Sequence, residues 1–265
     1  GLVMAGNIPL VGLHDVLAVF AAGHHALIKL SEKDARLLPF LEQPLAEIDP
    51  RTREYLQIVP QLKDFQAVIA TGSDNSARYF EAYFGKYPHI IRRNRNGVAV
   101  LSGTESREEL QALAEDVFLY FGLGCRNVAK LYLPEDYELP PLLQVFDQYE
   151  HLLNHNKYRN NYDYNLTLML LNKEPFLQGK SILLKEDPGF QSRIGMLHYE
   201  RYRSREEVQA ELQTRRNRIQ VVASADDWPG LPRVAFGQTQ KPGLSDYPDG
   251  VDTLNFLLSL NNHPS

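Results

Sequence analysis

The sequence is short of the features that would announce its class. It holds one cysteine in 265 residues, so no intrachain disulfide can form and a stapled extracellular scaffold is excluded. No apolar run reaches the roughly 18–20 residues that a membrane-spanning helix needs. No basic segment precedes the apolar residues at the start, as a secretory signal would require. Positive charge is not in excess: the net charge is -5, which argues against general nucleic-acid binding. Repeats and low-complexity stretches are missing, as are a Gly-x-Ser-x-Gly elbow and a Walker A loop, so serine hydrolase and P-loop kinase readings lack their signatures. What is present, 43% apolar and 23% charged residues, matches soluble globular chains and excludes disorder. The length gives about one or two domains, enough to bury a core without metal or disulfide. The expectation is a soluble, cytoplasmic protein.

Apolar periodicity divides the chain in two. Short apolar strands at 2–5, 26–30, 55–59 and 67–70 alternate with helical patterns at 11–22, 33–47 and 75–84. Gly23 is placed to cap the first helix, and Ser31 with Asp34 the second. Strands separated by helices predict a parallel α/β sheet with right-handed crossovers. A second section opens with a strand at 98–101. Ser106 and Glu109 then form a capping box before a helix whose Leu110, Leu113, Ala114, Val117, Phe118 and Phe121 share one face. Gly122 is read as its end, a strand follows at 130–133, two helices occupy 139–172, and strands lie at 181–184, 195–202 and 218–223. The tail from Asn261 is polar and expected to be loose.

Several residues invite chemistry, each with a plainer alternative. A lone thiol is by default a small buried hydrophobe. The turn Gly122-Leu123-Gly124-Cys125-Arg126-Asn127 lets groups approach the backbone closely, and Arg126 favours a thiolate, so a nucleophile is the better reading of Cys125. Gly122-x-Gly124-x-x-Asn127 is not a dinucleotide fingerprint, because it follows a helix and leads into a strand. Thr71-Gly72-Ser73 lies between a strand and a helix N-terminus, where an anion is favoured; the alternative is an ordinary loop with Ser73 or Asp74 as cap. His151 and His155 have metal-pair spacing but no third ligand, and they, like His24 and His25, read as ordinary histidines. Arg92, Arg93, Arg95 and Arg215, Arg216, Arg218 read as solvated faces or, functionally, as phosphate contacts. Tyr158, Tyr162 and Tyr164 could stack bases, though a helix–helix contact fits better.

Taken in order, the segments resemble the aldehyde dehydrogenase superfamily. Gly6-Asn7-Ile8-Pro9-Leu10 resembles its Asn-Phe-Pro turn, and Lys29-Leu30-Ser31-Glu32 its Lys-Pro-Ser-Glu strand end. Thr71-Gly72-Ser73 matches its phosphate turn, Cys125 its nucleophile after a Gly-rich turn, and Phe236-Gly237-Gln238-Thr239-Gln240-Lys241-Pro242-Gly243 its C-terminal Phe-Gly-Gly segment. Longer stretches narrow the resemblance to the LuxC-type acyl-CoA reductases. These are 4–11, 70–80, 120–128, 158–165, 183–187 and 246–252, so the likeness covers nearly the whole chain.

That resemblance implies an aldehyde dehydrogenase-like α/β fold. A doubly wound, Rossmann-like NAD(P)-binding domain over 1–95 is incomplete at its N-terminus, since full family members begin several tens of residues earlier. A catalytic thiol domain over 96–250 and a C-terminal segment over 251–265 complete the chain, with the active site in the cleft between the domains. The implied activity is NADPH-dependent reduction of a fatty acyl-CoA to the aldehyde through a thioester on Cys125. Asn7 and the Cys125 N–H would stabilise the oxyanion. Lys29, Ser31 and Glu32 would face the adenosine ribose, Lys29 favouring a 2′-phosphate, and Thr71, Gly72 and Ser73 the cofactor phosphates. Where hydrolytic aldehyde dehydrogenases carry a water-activating Glu, this chain reads Ile91-Arg92-Arg93-Asn94-Arg95-Asn96-Gly97, with no carboxylate; a reductase must not hydrolyse its acyl-enzyme. The superfamily's nicotinamide-ribose Glu has no clear match. No metal is implied. An acyl-transferring protein partner and a homo-oligomer are compatible with the family. Reduction of another acyl donor, such as an acyl phosphate or an acylated partner protein, and a noncatalytic assembly subunit stay open.

Overall fold

The computed structural model describes residues 1–260; the polar tail expected to be loose lies outside them. The chain forms two compact units, 1–94 together with the segment from Ser245, and 95–244. The segment 245–250, grouped by the sequence reading with the second section, therefore packs with the first unit.

In the first unit, β1 (Leu2–Val3), β2 (Ala26–Lys29), β3 (Leu56–Ile58), β4 (Val68–Thr71) and β5 (His89–Arg92) make one parallel sheet. Its order is β3-β2-β1-β4-β5, so strand order reverses beside β1. Helices α1 (Leu13–Ala21), α2 (Leu37–Ile48), the single turn α3 (Thr52–Tyr55) and α4 (Asp74–Phe84) supply the crossovers. Gly23 ends α1 with φ +75°. Its N–H bonds the Phe20 carbonyl and that of His24 the Val19 carbonyl, a Schellman motif that a residue with a Cβ would strain. Leu2, Ile28, Ile69, Val16 and Val19 form the core, with Leu257 from the returning segment.

The helix expected over 33–47 starts later. Ser31 caps a separate 3₁₀ turn at Glu32–Asp34, and the Asp34 carboxylate accepts the Leu10 N–H at 2.7 Å instead of closing a box. Starting at Leu37 also leaves Pro39 in the first turn, where a missing N–H costs nothing.

The second unit is built on β6 (Asn96–Val100), β7 (Val128–Pro134), β8 (Leu177–Gln178), β9 (Leu183–Glu186), β10 (Met196–Tyr202), β11 (Ile219–Ala223) and β12 (Arg233–Val234). The order is β12-β11-β6-β7-β10-β9-β8, parallel except for β8 against β9. Helices α5 (Arg107–Phe118), α6 (Leu139–Phe146), α7 (Asn156–Asn172) and α8 (Arg205–Thr214) complete it, and α9 (Thr253–Leu260) belongs to the first unit. The expected capping box of Ser106 and Glu109 is present. Both faces of the sheet are apolar: Leu131 and Leu133 pack with Leu113, Phe146 and Leu197, while Tyr132 faces the cluster of Val98, Val222 and Trp228. Burial on both sides is what parallel sheets require, and truncating such a leucine to alanine costs about 2–5 kcal/mol. The expected face of α5 is buried at Leu110, Leu113, Ala114, Val117 and Phe118. Phe121 is not on it, because the α-helix stops at Phe118. No helix among the described residues is long and apolar enough to cross a membrane.

Candidate active site

In an open α/β sheet, ligands bind beyond the carboxyl ends of the strands, where strand order reverses. In the first unit that point lies between β1 and β4. Three segments leave the sheet there: residues 4–7 from β1, 30–32 from β2, and Gly72-Ser73 from β4. They carry Ser31, Glu32, Gly72 and Ser73, while Lys29 and Thr71 are the last residues of β2 and β4. Lys29, Glu32, Ser73 and Asn7 are exposed, while Ser31, Thr71 and Gly72 are half-buried. A Cβ on Gly6 would lie 2.5 Å from Ser31 Oγ, so only glycine lets the β1 and β2 loops approach this closely. Gly72 is equally confined, its Cβ position lying 2.8 Å from Ser76 Cβ and 2.9 Å from the Phe80 ring. Ser73 caps α4, its Oγ accepting the Ser76 N–H at 3.2 Å, so the plainer reading of Ser73 as an N-cap holds. The first-turn N–H groups of this 11-residue helix can receive an anion.

In the second unit the chain leaves α5 through a 3₁₀ segment, Leu119–Gly122. Tyr120, Phe121 and Gly122 take φ of +53°, +59° and +72°, a conformation that side-chain-bearing residues adopt at a cost. Surrounding structure holds them there. Cys125 follows, exposed, so the thiol is not the buried hydrophobe of the default reading. The Asn127 N–H returns to the Gly124 carbonyl at 3.1 Å. Arg126 Nε donates to the Thr239 carbonyl.

Behind this turn stands Asp116, 1% exposed. Its carboxylate accepts the Gly237 N–H at 2.7 Å, the Thr239 N–H at 3.0 Å and the Thr239 hydroxyl at 2.7 Å. Burial raises its pKa above the ordinary carboxylate value, and the hydrogen bonds from Thr239 and Gly237 oppose that rise. The Cys125 turn and the Phe236–Gly243 segment are thus one hydrogen-bonded assembly.

No protein-family model matches the sequence, and no curated protein matches it. Solved structures do. Aldehyde dehydrogenase 21 from Physcomitrella patens, in complex with succinate, superposes with a TM-score of 0.71 at 14% identity, over 97% of this chain and 66% of that one. The fold is aldehyde dehydrogenase-like. An NAD-dependent aldehyde dehydrogenase from Sinorhizobium meliloti gives a TM-score of 0.67 at 13% identity, over 84% of this chain and 54% of that one. An aldehyde dehydrogenase from Mycobacterium tuberculosis complexed with NAD+ gives 0.62 at 15%, over 85% and 56%. The chain spans about half to two-thirds of the length of these proteins.

Within this aldehyde dehydrogenase-like fold, other singled-out residues have structural tasks. Arg92 is a correction: it is 4% exposed rather than solvated, ion-paired with Asp15 and donating to Thr253 Oγ1 at 2.8 Å. Charge count alone does not reveal it, since the partners lie 77 and 161 positions away. Arg93 pairs with Glu81 at the surface, Arg95 bonds the Ile219 carbonyl at 3.5 Å, and Arg215 pairs with Glu211 at 2.7 Å. The Tyr158 and Tyr162 hydroxyls donate to the Ser181 and Gly179 carbonyls at 2.9 and 2.8 Å, and the Tyr158 ring lies near that of Phe121, centroids 6.2 Å apart. Tyr164 is exposed. His155 lies against the Phe121 ring, centroids 4.6 Å apart, and His24 and His25 bond the Leu257 and Glu54 carbonyls. Among the described residues no group of three or more His, Cys, Asp and Glu could hold a metal ion.

Sequence reasoning gives no role to Asp116 or the fully buried Lys130, and names Thr239 only within the Phe236–Gly243 segment. Lys130 Nζ meets Glu200 at 2.6 Å, and burial pushes the ammonium pKa down while Glu200 opposes the shift. Only tertiary partners distinguish such residues from surface charges. Asn127 enters the sequence reading only within the Cys125 turn, the rejected glycine pattern and the 120–128 stretch, with no role of its own.

Proposed function

We propose that this chain is a LuxC-type reductase that converts a fatty acyl-CoA to the aldehyde, using Cys125 as nucleophile and NADPH as reductant. The observation that carries the reading is the placement of the sole cysteine, exposed on a turn anchored by buried side chains. Cys125, as thiolate, attacks the acyl carbonyl; the carbon–sulfur bond to coenzyme A breaks, and the departing CoA thiolate takes a proton. The acyl group stays on Sγ as a thioester. The Asn7 amide and the Cys125 N–H are assigned as oxyanion donors, and losing one such donor costs about 10²–10³ in rate.

The segments after β1, β2 and β4 fit a dinucleotide, because they leave the sheet where strand order reverses, Gly6 lets the β1 and β2 loops pack closely, and Ser73 opens a helix N-terminus. Lys29 and Glu32 are assigned to the adenosine ribose, with Lys29 offering charge to a 2′-phosphate, and Thr71, Gly72 and Ser73 to the phosphates. Bound NADPH supplies the hydride that reduces the acyl carbon. Collapse of the Cys125 thiohemiacetal then breaks the bond to Sγ and releases aldehyde, leaving Cys125 ready for a second turnover. The stretch from Ile91 to Gly97 places no carboxylate to activate water, which supports reduction over hydrolysis.

The test is intact-protein mass after incubation with a long-chain acyl-CoA and no NADPH. Wild type should gain one acyl group and Cys125→Ala none. A thiol that stays unmodified with acyl-CoA, acyl phosphate and acylated carrier protein alike would overturn the thioester mechanism.

A further inference from the structure

One side chain closes the Cys125 turn. Asn127 is 2% exposed. Its Oδ1 accepts the Gly124 N–H at 2.8 Å, and its Nδ2 donates to the Asp116 carbonyl at 3.0 Å and the Leu119 carbonyl at 2.8 Å. Those carbonyls belong to the last turn of α5 and its exit, which a helix leaves without partners of its own. With the Asn127 N–H on the Gly124 carbonyl, residues 124 to 127 form a closed turn that has Cys125 and Arg126 at its centre. The clasp leaves no room for slack: a Cβ on Gly124 would lie 2.9 Å from Asn127 Oδ1. The residues entering the turn are the three at positive φ, a backbone that persists only when its neighbours over-determine it.

Resting on the assignment of Cys125 as nucleophile, we propose that Asn127 is the positioning residue of the reaction: its carboxamide fixes the Cys125 turn to the end of α5 and so sets the placement and reactivity of Sγ. A carboxamide suits the position because it accepts on one side and donates on the other. Aspartate keeps the acceptor for Gly124 but turns a second anionic oxygen toward two carbonyls. Alanine loses both functions. A misplacement of about 1 Å at a reacting atom can cost on the order of 10²-fold in rate.

The test uses the full chain as Asn127→Ala and Asn127→Asp, with Gly124→Ala to displace the carboxamide without removing it. Two quantities are read: the rate of Cys125 alkylation by iodoacetamide across pH, and the single-turnover rate of thioester formation from a long-chain acyl-CoA. Melting temperature and NADPH binding report folding. The expected result is an altered pH profile of alkylation in all three variants. Thioester formation falls on the order of 10²-fold, with kcat lowered and KM for acyl-CoA little changed, the pattern of an interaction that matters at the transition state. Should Asn127→Ala fail to fold, Asn127→Asp and Gly124→Ala carry the same comparison. Folded variants that alkylate and acylate as wild type does would overturn the proposal while leaving the nucleophile assignment standing. Altered alkylation in the variants, with a wild type that never forms the thioester, would uphold the positioning role and defeat the acyl-CoA reading.

Discussion

The turn at Ser73 is held by its own neighbours, whereas the turn at Cys125 is held from far along the chain. Ser73 caps α4 through Ser76, three residues on. Arg126 reaches the Thr239 carbonyl 113 positions away, and the Asp116 carboxylate gathers Gly237 and Thr239 from more than 120 positions away. A turn built locally forms as soon as its helix does, and it presents backbone N–H groups, which is all that anion binding asks. A turn that must hold a nucleophile in one place needs buried, long-range ties, because nothing in its own few residues excludes alternative conformations.

Substitutions at three positions sharpen that contrast. The largest effect is expected from Asp116→Ala, which strands the Gly237 N–H and both Thr239 donors in a buried site. Each unmet group costs about 1–3 kcal/mol, so melting should fall by roughly 6 °C or more. Asp116→Asn keeps one acceptor and should fall between. The Asp116 pKa is raised, so its ionised form is disfavoured in the fold. Its contribution to stability should therefore decline as pH rises from the ordinary carboxylate value through the raised one, a slope that Asp116→Asn removes.

Ser73→Ala removes only a local cap. It should cost about 1 kcal/mol, read by chemical denaturation, and leave Cys125 alkylation unchanged. If it destabilised the fold as much as Asp116→Ala does, the distinction between the two turns would be lost.

The smallest effect belongs to an exposed clasp of purely local origin. Arg51 donates to the Asp49 carboxylate through its backbone and side chain, at distances down to 2.6 Å. Those hydrogen bonds lower the Asp49 pKa from 3.8 to about 2. A depressed carboxylate contributes stability above its unfolded pKa, and that contribution disappears as pH falls from about 4 to about 2. NMR titration should place Asp49 in that window, and Asn at this position should flatten only that part of the pH–stability curve.

The same contrast explains what could be read from the sequence. Gly23, Ser106 with Glu109 and the apolar strands of the first unit act within a few residues, so propensity and periodicity suffice, and the α/β class followed from them. Cys125 and Thr71-Gly72-Ser73 are marked by residue type and flanking turn residues, whereas Asn7 and Lys29 enter only through the family resemblance. Helix α8 was missed because only Val208 and Leu212 are buried on it, too little for a periodic signal, although Ser204 caps it. Asp116, Lys130 and Arg92 were missed, or taken for surface charge, because a buried charge differs from an exposed one only through partners distant in sequence.

The first unit is discontinuous along the chain, and this orders events during synthesis. Helix α9 packs on α1, Leu257 enters the first core, and Thr253 meets the buried guanidinium of Arg92. A ribosome completes all of residues 95–244 before it makes these groups. The second unit can therefore mature on the nascent chain while the first waits with an open seam, its Asp15–Arg92 pair lacking a cover until α9 arrives.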